Sequence, residues 1–202
     1  DDLAIGANTI SVGGNDQNNT YSGGISGTGA FTKVGTGEQT LTGDNSFSGV
    51  ATVTDGILIL NNTTTPNTTI VGDGSSESLA ANFDIQITGG TLRNDADEQI
   101  ANNSEIHVNG GTYSLNGQTE TIWALTTTSG TFTTGVDGTL IGLGNTITWS
   151  GGTNTITHVS IGTVAYPGAG QILYSGALNS SLAVANLIQP QFAAGDLVTT
   201  ED

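Results

Sequence analysis

The chain has 202 residues, with 31 glycines, three prolines, no cysteine and only 10% charged residues, and 18 Asp and Glu stand against Lys33 and Arg93. A formal charge of −16 excludes nucleic acid and anionic membrane as partners, since both require clustered cations. Lack of cysteine excludes a disulfide frame and thiolate chemistry, and no apolar run reaches the length of a membrane-spanning helix. The size fits one domain with a sizeable core. Abundant glycine with scarce proline fits an ordered, turn-rich chain whose surface is made by Thr, Ser and Asn. No basic and apolar leader precedes Asp1-Asp2, so any secretory signal is expected to have been removed.

From residue 23 to 60 short apolar–polar alternations follow one another: Ala30-Phe31-Thr32, Thr40-Leu41-Thr42, Val50 to Val53 and Ile57 to Leu60. Period-two alternation predicts strands buried on one face, and the glycines between them predict a corner every few residues. Residues 61–80 are the least regular and are expected to form a lateral loop at Pro66, with a strand at 69–71.

Further on, Gly90-Thr91-Leu92, Gly111-Thr112-Tyr113, Gly130-Thr131-Phe132 and Gly152-Thr153-Asn154 repeat at about 20 residues, and Asp55-Gly56-Ile57 fits the same motif earlier. A second repeat sets an apolar residue before a Ser-Gly corner in the segments beginning at Asn19, Asn45 and Asn145. A period near 20 residues is the signature of a solenoid winding with three short strands. The expected fold is therefore all-β, a right-handed parallel β-helix of roughly nine windings and about 45 Å, with like residues stacked about 4.8 Å apart. Ile85, Ile87, Ile106, Val108, Tyr113, Leu115, Leu140, Ile147, Trp149 and Ile156 are expected inside, and Thr88, His107, Ser114 and Thr148 outside. The solenoid is assigned to residues 1–165. Residues 166–202 are assigned to a cap or docking segment, with a strand from Gln171 to Tyr174 and a short helix from Asn179 or a last irregular winding.

One stretch carries a family resemblance. Gly27, Gly29, Phe31, Thr32, Lys33, Gly35, Gly37, Leu41, Thr42, Gly43, Asn45, Phe47, Ser48, Gly49, Val53, Gly56 and Leu58 stand in one register. This pattern resembles the passenger-associated transport repeat of bacterial autotransporters, with looser echoes to about residue 160. The resemblance implies a parallel β-helix displayed outside a bacterial cell, and a structural rather than catalytic role for the repeat, Lys33 included.

Catalytic constellations are sparse. Polysaccharide-cleaving β-helices need converging carboxylates or a calcium-held substrate with a cationic base. The densest acidic group is Asp95, Asp97 and Glu98, just past Arg93. It reads as a solvated turn with Arg93 as local counter-charge, and as the candidate calcium site if one exists; no other cofactor is expected. His107 and His158 are far apart and read as surface residues. No G-x-S-x-G, H-E-x-x-H or P-loop occurs, and Gly72-Asp73-Gly74 is a single turn. The recurring Thr-x-Thr pairs (Thr126 and Thr128, Thr146 and Thr148) read as outward strand positions. Asn61, Asn67 and Asn102 begin sequons that an Asn- and Thr-rich chain contains by chance.

The expected function is that of a non-enzymatic, secreted or surface-exposed structural solenoid that associates end to end with copies of itself into a filament, sheath or layer. Divalent cations are the natural counter-ions for its charge. An adhesin or passenger fragment that binds glycans or surfaces is the alternative, and a polysaccharide lyase or hydrolase the remaining one.

Overall fold

The computed structural model describes residues 1–66, 70, 83–135, 138–142, 146–149, 163–165 and 171–174. Among these, Gly152, Ile156, His158, Asn67, the Gly72-Asp73-Gly74 turn and most of 166–202 do not fall.

The described chain is a stack of parallel strands without a helix. The first winding holds β1 (Leu3–Gly6), β2 (Ile10–Val12) and β3 (Asn19–Tyr21), and the second β4 (Ile25–Gly27), β5 (Phe31–Lys33) and β6 (Glu38–Leu41). The third holds β7 (Ser46–Phe47), β8 (Ala51–Val53) and β9 (Ile57–Leu60), and the fourth β10 (Ile85–Ile87) and β11 (Thr91–Asn94). In β12 (Glu105–Ser114) the fifth winding runs through the corner between the second and third faces. The sixth holds β13 (Thr119–Ile122) and β14 (Ala124–Thr133). Beyond it come β15 (Thr139–Gly142), β16 (Thr146–Trp149), β17 (Thr163–Ala165) and β18 (Gln171–Tyr174).

Every pairing is parallel, and register follows the sequence period. On the second face Ile10 pairs with Phe31, Phe31 with Ala51, Ala51 with Ile85, Ile85 with Ile106 and Ile106 with Leu125. On the third face Gln39 pairs with Leu58, Leu58 with Leu92, Leu92 with Tyr113 and Tyr113 with Phe132. Gln171 to Tyr174 forms the expected strand and continues the second-face ladder past residue 165. Among the described residues about six windings are complete, against the nine expected of the whole chain. The step from Ala51 to Ile85 is far longer than the others and spans the irregular stretch 61–80. Ile70, in the middle of the predicted 69–71 strand, bridges Ile100 in parallel.

Period-two parity selects the core. Ile85, Ile87, Ile106, Val108, Tyr113, Leu115 and Leu140 are fully buried as expected, while Thr88 is exposed and His107 and Ser114 are half-buried. Like stacks on like where Tyr113 lies 5.6 Å from its register partner Phe132, and Phe31 of the second face meets Phe47 of the first at 5.8 Å across the interior. Each such aliphatic or aromatic side chain contributes about 1.5–3 kcal/mol by leaving water, so a continuous column needs no disulfide.

The corner between the second and third faces is a column of glycines. Gly13, Gly35, Gly56, Gly90 and Gly130 have φ between +60 and +93°. A Cβ on Gly130 would lie 2.3 Å from the Gly111 carbonyl oxygen, one on Gly111 2.7 Å from that of Gly90, and one on Gly90 2.6 Å from that of Gly56. Backbone stacks directly on backbone there, and any side chain would prise the windings apart. This is the physical reason for the glycine repeat at about 20 residues.

Candidate functional site

Two polar constructions interrupt the apolar interior, and a third lies on the outer surface. The first is Lys33, which ends β5 on the inward parity and is fully buried. Its Nζ donates to the carbonyls of Val34 and Gly35, 2.7 Å each, and of Asp55 at 3.3 Å. Burial pulls its pKa below the ordinary lysine value, opposed by the charges of Asp55 and Asp16. The glycine corner turns its carbonyls inward, and the ammonium satisfies them. This is the repeat-stabilising role expected for Lys33.

The second is a seam formed by Asn62, Asn94, Gln99, Tyr113 and Glu120, all buried. Glu120 accepts from Asn94 Nδ2, from the Gln99 amide at 2.8 Å and from the Ile100 amide at 3.2 Å. Gln99 reaches the preceding winding, accepting from the Asn62 amide at 2.6 Å and donating to its carbonyl at 2.9 Å. Desolvation pushes the Glu120 carboxyl up to about 8, helped by the nearby Glu98 charge and opposed by its hydrogen bonds. Burial, then Glu120, holds the Tyr113 hydroxyl well above its usual value. None of these residues was singled out from the sequence except Tyr113, as core. The available signal was parity: Glu120 lies two residues before inward Ile122 and pairs with buried Leu140.

The candidate calcium ligands sit at the adjoining corner. Asp95 forms a two-pronged ion pair with Arg93, Oδ1 to Nε at 2.7 Å and Oδ2 to Nη2 at 2.8 Å, and accepts from Asn116 Nδ2 at 3.0 Å. Asp97 Oδ1 accepts the Thr119 amide at 2.7 Å, and Glu98 Oε1 accepts the Thr121 hydroxyl at 2.8 Å. Arg93 is thus the counter-charge expected, while Asp97 and Glu98 tie their corner to the next winding. Among the described residues no three or more His, Asp or Glu side chains gather in a set able to hold a metal ion. The same device recurs elsewhere: Asp2 accepts the Gly24 amide, Asp16 the Thr36 amide and Asn18 the Glu38 amide. Corner Asp and Asn side chains act as acceptors for amides that the strand ladder leaves unpaired.

The third lies outside. His107, on the outward parity of β12, packs against Phe83 with ring centroids 4.4 Å apart and the planes tilted by 30°, and its Nε2 lies 2.9 Å from Thr128 Oγ1. Thr128 and Ser129 both donate to Asn109 Oδ1, at 3.1 and 2.9 Å. Burial lowers the His107 pKa below its ordinary value.

Comparison with known proteins agrees with the winding. The Passenger-associated-transport-repeat family matches residues 31–60, the segment running from β5 to β9. The chain is 36% identical over 90 residues to the Adhesin BmaC autotransporter of Brucella suis biovar 1 (strain 1330), an alignment spanning 45% of this chain and 2% of that protein. No solved structure matches the chain. The matched repeat, the adhesin relative and the stacked parallel strands make this chain an autotransporter-passenger-like β-helix.

Proposed function

We propose that the chain is a non-catalytic segment of a secreted or surface-displayed bacterial passenger, acting as a stiff solenoid that carries or forms an adhesive surface. The observation that supports this most directly is the unbroken parallel register from Ile10 to Leu125, a geometry that transmits length and stiffness. The adhesin relative supplies the setting. Displaying residues 1–202 on a bacterial surface and measuring adherence to host cells or matrix is the test. Adherence above that of an empty display scaffold supports the reading, and none above it sinks the adhesive part.

End-to-end association with further copies is the finer proposal, supported by windings that repeat in parallel register from Ile10 to Leu125, since each parallel strand edge is a template for another winding, from the same chain or from a second copy. Electron microscopy across protein and calcium concentration decides this: filaments that vanish in Ile10→Lys support it, and isolated particles under all conditions reject it. Calcium enters this proposal as a counter-ion to the net charge of −16.

A further inference from the structure

The corner that opens the second face and the outer side of its strands carry aromatic rings and planar hydrogen-bonding groups that the structural reading leaves unused. Phe83 stands two residues before Ile85, Ser104 two before Ile106 and Trp123 two before Leu125, and those strands are in register. Phe83 and Trp123 therefore occupy the same corner two windings apart, about 10 Å along the stack, the length of two linked pyranose rings. Both are half-buried, and the corner positions beside them hold the small residues Gly49 and Ser104. Next to this line β14 bulges: Val108 pairs with Thr127 but Asn109 with Ser129, leaving Thr128 as the extra residue. Bulges re-aim side chains, and this one turns the Thr128 hydroxyl onto both His107 and Asn109.

The hydrogen bonds within this group narrow what is left for a ligand. With the Thr128 hydroxyl donating to Asn109 Oδ1, its oxygen is open to His107 Nε2–H, the tautomer that leaves Nδ1 as an acceptor. Asn109 Oδ1 is filled by Thr128 and Ser129, so its Nδ2 presents two donors from an exposed side chain. An acceptor and a paired donor beside apolar rings match vicinal hydroxyls beside the C–H face of a sugar. Charge narrows the class further: Lys33 is buried under its carbonyls and Arg93 is held by Asp95, so neither the lysine nor the arginine of this chain is left for a carboxylate or sulfate.

We propose that this face binds a neutral oligosaccharide lying along the stacking axis, with sugars on Phe83 and Trp123 and hydroxyls held by His107 and Asn109. Such a site gives the adhesive reading a ligand class and rests on that reading for its setting.

The test is titration of the purified 202-residue chain with neutral oligosaccharides of increasing length (β-1,4-linked glucose and N-acetylglucosamine series), with heparin fragments as the anionic arm. Neutral chains should bind more tightly as they lengthen from two to four sugars, and heparin fragments should not bind. Trp123→Ala and Asn109→Ala should each weaken binding roughly tenfold or more while leaving the melting temperature within a few degrees, and Thr40→Ala, on the third face, should change nothing. Absence of neutral binding, binding of the anionic series alone, or indifference to both Trp123→Ala and Asn109→Ala overturns the site. The adherence assay separates the two proposals: adherence that persists in Trp123→Ala and Asn109→Ala leaves the adhesive reading standing and removes this site from it.

Discussion

The windings around Lys33 and those around Glu120 solve the same problem with opposite chemistry. A coil that turns a corner every few residues leaves backbone groups outside the strand ladder, and buried ones must find partners. At the glycine corner the surplus groups are carbonyls, and one ammonium donates to three of them. At the seam the surplus groups are amides, and one carboxyl accepts two of them together with Asn94. The difference lies in how each charge is kept. Lys33 has Asp55 and Asp16 nearby to offset its desolvation, whereas Glu120 faces Glu98, a like charge that adds to it. The first corner is thus built to hold an ion, and the second to hold a proton.

The contrast can be broken most severely at the glycine column both regions depend on. Gly56→Val would place side-chain atoms against the Gly35 and Gly37 carbonyls, where a Cβ alone would sit at 2.4 Å, at a φ of +62°. A loss of about 3 kcal/mol or more is expected, read as a fall in urea midpoint or as failure to fold. An unchanged midpoint would show that the windings are not stacked backbone on backbone.

The seam predicts a pH dependence of definite sign. Its carboxyl is raised from 4.5 to about 8, so between those values the folded chain keeps a proton that the unfolded chain releases. Stability from this group is therefore greatest at acid pH and falls as pH rises through the window, by at most about 1.4 kcal/mol per unit. Glu120→Gln should flatten that slope. It should be less stable than the parent near pH 5, because its amide faces the Ile100 N–H, and more stable near pH 8. Parallel curves in urea denaturation across pH would refute the protonated seam.

Lys33→Met keeps the stem and removes the donors, leaving three part-buried carbonyls short of a partner. About 2 kcal/mol is expected, with little change in slope between pH 5 and 8, which is how the two regions should differ. The smallest effect belongs to the half-exposed Arg93–Asp95 pair: Arg93→Ala should cost less than about 1 kcal/mol, and less still at high salt.

The solenoid was legible because its constraints are local and repeated. Gly90, Gly111 and Gly130 recur because a crowded corner leaves no room for a Cβ, and alternation in segments such as Ile85 to Ile87 states which side is inward. Asp95, Asp97 and Glu98 were found as a cluster, yet spacing along the chain says nothing of what faces them; their partners Asn116, Thr119 and Thr121 come from the next winding. Glu120 stands between threonines and so looks like surface, and its parity with Ile122 becomes decisive only once its pairing with Leu140 is seen. The long fourth winding was legible as irregularity in 61–80, but not the pairing of Ala51 with Ile85 across it, since the stretch has no periodicity of its own.

That long step has an evolutionary corollary. Strands on either side of it keep perfect alignment, so the stack tolerates a graft at a corner without loss of the columns above or below. A lineage could diversify what such a rod presents by swapping inserts there, while selection on the glycines and the inward stripe holds the chassis constant.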